Sequence, residues 1–249
     1  PAVKIKAEKR LALPRAVNGG GWDLLSIRPI RRFMESPWYP GLFQALSVLI
    51  FGLIVYYGLF GTIRPAYNFA TVVTWTLWWP LLPLSLLLVG RFWCAICPIV
   101  PAISLTQRLA NPKMMPGRFL RRYGVWLMGL TFIAITWANR LWSIISSPTA
   151  TALLLLSLLG LAVLMAIVYQ RRAFCRYLCP IGAFTGLYAM TAAVELRSKG
   201  ASHCQGCEKE CYRGSNAVEG CPLYEYVRTL DTNRNCNLCG ECIKSCPHG

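Results

Sequence analysis

Residues 152–181 read ALLLLSLLGLAVLMAIVYQRRAFCRYLCPI. An uncharged apolar run, Ala152 to Tyr169, is followed at once by two arginines and a pair of cysteines closed by a proline. A bilayer crossing takes about 20 such residues, so the stretch reads as a membrane span whose exit carries thiols. The same order occurs earlier in the chain, where Phe69 to Val89 leads into Arg91-Phe92-Trp93-Cys94-Ala95-Ile96-Cys97-Pro98-Ile99. Each of these units has a further apolar stretch in front of it, Leu42 to Phe60 before the first and Tyr123 to Ala138 before the second. The sequence therefore predicts a mainly α membrane protein with four transmembrane helices, arranged as two repeated helix pairs. Pro80 and Pro83 inside the second span predict a kink, because proline removes a backbone donor and clashes with the preceding turn. Trp38, Tyr39, Trp137 and Trp142 stand near the span ends, where amphipathic rings favour the headgroup layer.

Composition agrees with this reading. Of 249 residues, 55% are hydrophobic and 14% charged, which does not suit an ordinary water-soluble surface. The formal charge of +16 would suggest nucleic acid if the basic residues formed a stripe on a soluble fold. With four crossings, 24 of the 26 basic residues fall on one side of the membrane, and only Arg64 and Arg140 lie opposite. The positive-inside rule accounts for that distribution and places the N-terminus, the 90–122 loop and the C-terminal region in the cytoplasm. No nucleic-acid partner is expected. The basic tail, including Lys4, Lys6, Lys9, Arg10, Arg28, Arg31 and Arg32, reads as a solvated topogenic segment that can also meet acidic lipid. The two histidines, His203 and His248, both lie outside the apolar runs, which excludes a bis-histidine haem within this chain alone. Three regions follow: a basic segment over 1–40, a membrane domain over 41–200, and a cysteine-rich domain over 201–249.

All twelve cysteines fall in short-spaced groups. Cys236, Cys239, Cys242 and Cys246-Pro247 follow C-x2-C-x2-C-x3-C-P, the bacterial ferredoxin run in which the fourth cysteine ligates the other cluster. Cys204, Cys207 and Cys211, with Cys221-Pro222 further on, form a looser partner. Crossed ligation then predicts one [4Fe-4S] cluster on Cys204, Cys207, Cys211 and Cys246 and a second on Cys236, Cys239, Cys242 and Cys221. Two zinc sites would also use eight cysteines, but the close fourfold run ending in Cys-Pro is a cube signature rather than two separated knuckles. Cys94, Cys97, Cys175 and Cys179 emerge on one face and make four thiolates at the membrane edge. They are candidates for a third iron-sulfur or other metal centre. A redox dithiol and a plain pair of helix-end turns are the competing readings.

The combination of four helices, two Cys-x(2 or 3)-Cys-Pro motifs and terminal ferredoxin motifs resembles the NapH-type membrane iron-sulfur subunits of quinol dehydrogenases. It is similar also to the membrane half of NosR-type, polyferredoxin-like proteins. The first motif is C-x2-C-P where that family commonly has C-x3-C-P, and no flavin domain of the NosR type is present. The resemblance implies a bacterial-type inner-membrane protein that takes electrons from quinol and passes them through its clusters to a respiratory redox partner. On this reading the chain is the electron-transfer subunit of an oxidoreductase complex. The alternative is an iron-sulfur membrane factor that supplies electrons for maturation of, or metal delivery to, a respiratory enzyme. A quinone headgroup needs orienting and proton-handling groups beside a cluster. Arg91 and Glu195, near the cysteine motifs, are the candidates, with the positive-inside anchor as the ordinary role for Arg91. The spans hold no Asp, Glu, Lys, Arg or His, which leaves an intramembrane proton relay like that of a pump unsupported.

Overall fold

The structure is a computed structural model that describes residues 23–198, 204, 208–214 and 219–246. Most of the basic N-terminal segment, together with Cys207, lies outside the described residues. Among those described there are helices and irregular chain but no strand; a single isolated bridge joins Met114 to Tyr169.

A short helix α1 (Arg28–Glu35) precedes α2 (Gly41–Phe60), a 20-residue apolar helix. Buried Asn68 turns the chain into the next helix. Its amide nitrogen donates to the carbonyls of Tyr57 (2.8 Å) and Thr62 (2.7 Å), and its oxygen caps the N–H of Ala70 (2.8 Å). The helix it opens, α3 (Phe69–Val89), contains a π-helical stretch over Val72–Trp78. Trp79 N–H bonds the Thr74 carbonyl five residues back. The break expected from the prolines thus takes the form of a widened turn just before Pro80. Gly90, at φ +58°, ends the helix in a conformation that side chains disfavour.

The first cysteine motif lies on α4 (Phe92–Ile96) and its exit, and is followed by the 12-residue α5 (Ile99–Ala110). The fourth expected span, Tyr123–Ala138, falls inside one continuous helix of 25 residues, α6 (Arg118–Trp142). At about 1.5 Å per residue it is long enough to cross. Arg118, Arg121, Arg122 and Arg140 lie towards its ends, however, and among the described residues three helices rather than four qualify by length and apolarity: Gly41–Phe60, Phe69–Val89 and Pro148–Val168. The last of these, α7 (Pro148–Val168), starts at an N-cap Ser147 with proline in its first turn. The second motif lies on α8 (Ala173–Tyr177) and its exit, followed by the 10-residue α9 (Pro180–Ala189).

Helices α5 and α9 are too short to cross a bilayer and pack back against the long ones. α5 runs along α7, while α9 lies between α3 and α6, with Phe184 stacked against Trp79 (6.1 Å between centroids) and Phe132 (6.3 Å). Each short helix therefore packs on a long helix of the other half of the chain. A core of Ile103, Ala162, Ala166 and Phe174, with Ile99, Met165 and Leu178 against it, sits directly under Cys175 and Cys179. The cysteine-rich region contributes two short helices packed on each other, α10 (Glu210–Arg213) and α11 (Glu241–Lys244).

α2 and α7 approach closely at Gly58, where a Cβ would stand 2.7 Å from that of Ala152 and 3.0 Å from the Pro148 carbonyl. Gly52 on the same helix has nothing within 4 Å of that position. Gly58→Leu is expected to destabilise the protein by about 1–3 kcal/mol through overpacking, and Gly52→Leu to stay within about 0.5 kcal/mol. Reversible unfolding in detergent checks both; equal effects would contradict the α2–α7 contact.

Candidate functional site

The two cysteine motifs begin alike. Arg91 and Arg172 are the N-cap residues of α4 and α8, and each stands three positions before the first cysteine of its motif. The second cysteines, Cys97 and Cys179, are both in extended backbone ahead of proline. Helix ends that stop this abruptly leave carbonyls without partners, and side chains of the long helices supply them. Ser47 on α2 donates to the Ile96 carbonyl (2.5 Å) and Gln44 to that of Ala95 (2.8 Å). Thr131 on α6 donates to the Leu178 carbonyl (3.4 Å), which holds the matching place in the second motif. Gln107 on α5 binds the carbonyls of Tyr169 and Arg171, fixing the entry to that motif.

The four membrane-edge cysteines come together. Cys94 Sγ is 3.7 Å from Thr185 Oγ1 on α9, while α5 supplies apolar neighbours for Cys175 and Cys179. Burial pushes the Cys97 thiol up to about 12 and the Cys179 thiol to about 11, and it raises Cys175 well above its ordinary value. Cys94, Cys97 and Cys179 add to the rise at Cys175, so all four thiols lie within electrostatic reach. Arg172 acts in the opposite direction on Cys97 and Cys175, as Arg91 does on Cys179.

Four of the ferredoxin-type cysteines are also gathered. Burial raises Cys236 to about 12 and Cys239 to about 11, and raises Cys242 well above its ordinary value; Cys239, Cys236 and Cys221 contribute at Cys242, as does Cys211 of the other expected set. These are the four residues expected to share one cluster through crossed ligation. For the other expected set, Cys204 and Cys211 both act on the Tyr226 phenol. Cys246 is exposed beside a cavity, and Cys207 lies outside the described residues.

Arginines dock this region on the membrane helices. Arg176 pairs with Glu225 (2.9 Å) and also donates to the Leu223 carbonyl. Arg171 donates to the Cys221 carbonyl (3.2 Å) and lies over the rings of Tyr212 and Tyr224. Tyr39 OH donates to the Leu238 carbonyl (2.6 Å), and Asn233 holds the Val194 carbonyl (2.6 Å). Positive-inside counting treats Arg171, Arg172 and Arg176 as anchors, and their docking role is absent from that reading. The one sequence signal for it is how closely they crowd the second cysteine pair.

Arg91 and Glu195 are not brought together in a pocket. Arg91 is 3% exposed and donates to the Arg234 carbonyl (2.7 Å). Glu195 is an exposed residue that pairs with Arg197. A cavity of about 870 Å³ lies elsewhere, between the start of α2 and α11, lined by Tyr39, Gln44, Arg108, Arg172, Glu241 and Cys246 among others.

Among the described residues no three His, Cys, Asp or Glu side chains are grouped to hold a metal ion. A [4Fe-4S] cube is bound at four separate irons, so its thiolates stand farther apart than those converging on one ion. The donor chemistry fits such a group. Two gathered sets of cysteines, most of their thiols raised by burial, lie near Arg91 and Arg172, and Arg91 Nε and Nη2 and Arg172 Nη1 are buried without a hydrogen-bond partner. An anionic centre answers both the thiols and the idle donors.

Residues 71–114 and 151–199 match the family of the 4Fe-4S binding domain, and each matched segment contains one membrane-edge cysteine pair. The chain is 34% identical over 86 residues to an Escherichia coli (strain K12) protein named "putative electron transport protein YccM". That similarity takes in 34% of this chain and 22% of the relative, so the chain spans about a fifth of the curated protein it matches. No solved structure matches the chain.

A thiol raised to about 12, as at Cys97, is ionised in roughly one molecule in ten thousand at pH 8. In the reduced, iron-free protein, iodoacetamide at that pH is expected to modify exposed Cys246 first and Cys97, Cys175, Cys179, Cys236, Cys239 and Cys242 last. The buried set gains reactivity as pH rises. Peptide mass mapping gives the order, and uniform labelling at pH 8 would contradict a buried junction.

Proposed function

We propose that this protein is a membrane iron-sulfur electron-transfer protein that links the quinone pool to a respiratory redox partner. The observation that carries the reading is the gathering of Cys94, Cys97, Cys175 and Cys179 at the ends of apolar helices, with Cys221, Cys236, Cys239 and Cys242 docked beside them. The match to the 4Fe-4S binding domain and the name of the E. coli relative support it. A [4Fe-4S] group supplies one-electron steps without a change of ligands. The chain's own residues hold such groups in a row and keep water from them.

On this proposal α6 is the fourth crossing, the termini and cysteines share the cytoplasmic side of an inner membrane, and eight of the ligands are the ferredoxin-type cysteines. Cys204, Cys207, Cys211 and Cys246 complete the terminal centre. The partner protein meets that exposed end, at Cys246. The quinone headgroup is assigned to the large cavity rather than to Arg91 and Glu195, since Arg91 is buried beneath the docked region and Glu195 is paired at the surface. Within the cavity Tyr39 and Gln44 offer polar contacts to a ring oxygen. Glu241, whose carboxyl burial raises, is placed to hold a proton that the quinol releases.

Anaerobic mixing of the oxidised, cluster-loaded protein with a reduced quinol analogue tests the reading. Rapid, inhibitor-sensitive loss of iron-sulfur visible absorption is expected. A protein that dithionite reduces but quinol does not would overturn the quinone assignment. Iron is expected at about 12 atoms per chain, falling to about 8 in the double variant Cys94→Ser, Cys175→Ser; retention of all the iron would remove the membrane-edge centre. For the topology, single cysteines at Ser146 and Lys113 in a background with the native clusters intact are expected to react with an impermeant maleimide from opposite sides of sealed vesicles. Labelling from one side would show that α6 does not cross.

A further inference from the structure

Arg91 and Arg172 are placed alike in the two motifs, and each reaches across to the docked cysteine-rich region. The Arg91 guanidinium donates to the Arg234 carbonyl, two residues before Cys236. The Arg172 backbone N–H donates to the Pro222 carbonyl (3.1 Å), next to Cys221. Cys221 and Cys236 belong to the same gathered set, so the pair stands between the membrane-edge thiols and that set. Arg91 Nε and Nη2 and Arg172 Nη1 are buried and have no acceptor. Idle donors on a buried cation are costly unless an anion faces them. Glu241 is a carboxylate that Arg172 acts on, at its cavity side. On the other sides are sulfurs. Arg172 lies within electrostatic reach of the sulfurs of Cys97, Cys175 and Cys239, and Arg91 within reach of those of Cys179 and Cys236.

We infer that Arg91 and Arg172 are paired positioning residues that donate charged hydrogen bonds to two iron-sulfur centres at once, making the junction where an electron crosses between them. One centre is held by Cys94, Cys97, Cys175 and Cys179, the other by Cys221, Cys236, Cys239 and Cys242. The inference rests on the electron-transfer reading above. One centre loses the single electron that the other gains, no bond forms or breaks, and the guanidiniums keep their protons. Positive charge favours the more negative, reduced state of both centres and so raises both potentials. Of the third set, Cys204 and Cys211 act on Tyr226, and Cys246 lines the cavity that Arg172 also lines.

The test is an EPR-monitored redox titration of the full-length, cluster-loaded protein, compared with Arg91→Gln, Arg172→Gln, Arg91→Lys and Arg172→Lys. Glutamine keeps a donor but removes the charge. The glutamine variants are expected to retain iron while the reduced-to-oxidised ratio of the two junction centres, at fixed poise, falls about tenfold, or 59 mV for a one-electron couple. The third centre stays put, and lysine restores most of the shift. Full iron with unchanged potentials would overturn the inference, as would equal shifts in all three centres. Equal iron loss in the glutamine and lysine variants would overturn it too, because charge then has no part. An iron count of about 8 in the wild-type protein, unchanged by Cys94→Ser, Cys175→Ser, would remove the membrane-edge centre and the role of the pair with it, while the electron-transfer reading, which quinol reduction tests, would stand.

Discussion

The thiols of Cys97, Cys175 and Cys179 and guanidinium donors of Arg91 and Arg172 are held out of water at the ends of apolar helices, and the surrounding structure serves that one requirement. Neither kind of group tolerates desolvation by itself: the thiols respond by remaining protonated, and the guanidiniums are left with idle donors. Brought together around an anionic centre, each removes the other's penalty. The crossed packing of α5 and α9 achieves this. Each short helix starts from one cysteine motif and ends among the residues of the other, so neither motif can form its surroundings without its counterpart. The core of Ile103, Ala162, Ala166 and Phe174 packs against Cys175 and Cys179.

The same requirement accounts for the few polar side chains on the long helices. A cysteine pair on a helix of five residues leaves carbonyls that no later turn can use. Gln44, Ser47 and Thr131 each give a donor to a carbonyl at such a helix end, and Gln107 on α5 serves the carbonyls at the entry to the second motif. In a low-dielectric setting an unmet carbonyl is expensive, so these otherwise unremarked residues stabilise the site as directly as its apolar contacts do.

The long helices were legible from apolarity because nothing else yields uncharged runs near 20 residues. α2, α3 and α7 form within a few residues of where the sequence puts them. Which faces pack was not legible. A helix apolar all round carries no periodic signal to separate a lipid face from a protein face. The contact at Gly58 and the crossed seating of α5 and α9 therefore had no counterpart in the reading. α6 shows the reverse difficulty: its apolar centre was recognisable, but flanking arginines dilute the stretch until length and composition no longer single it out. The cysteine groupings could be read from spacing, since ligand spacing is a local property. The arginines could not. Topology alone gives a sufficient reason for a basic residue beside a span, and that reason concealed the docking of Arg171 and Arg176 and the burial of Arg91.

The unequal spacing of the two motifs, two residues between cysteines in the first and three in the second, is absorbed locally. In the second motif the N–H groups of Leu178 and Cys179 both bond the Phe174 carbonyl at 2.9 Å, which folds the added residue into the turn. Beyond it the backbones converge. Cys97 lies at φ −57°, ψ 133° and Cys179 at φ −61°, ψ 118°, the extended form that a following proline favours. The carbonyl just before each receives a hydroxyl from the long helix that opens its half, Ser47 in one and Thr131 in the other. Proline and hydroxyl together fix where the second thiol stands, whichever spacing precedes it. The shorter first motif is thus compatible with a matched pair of thiol positions, because what fixes those positions lies outside the spacer.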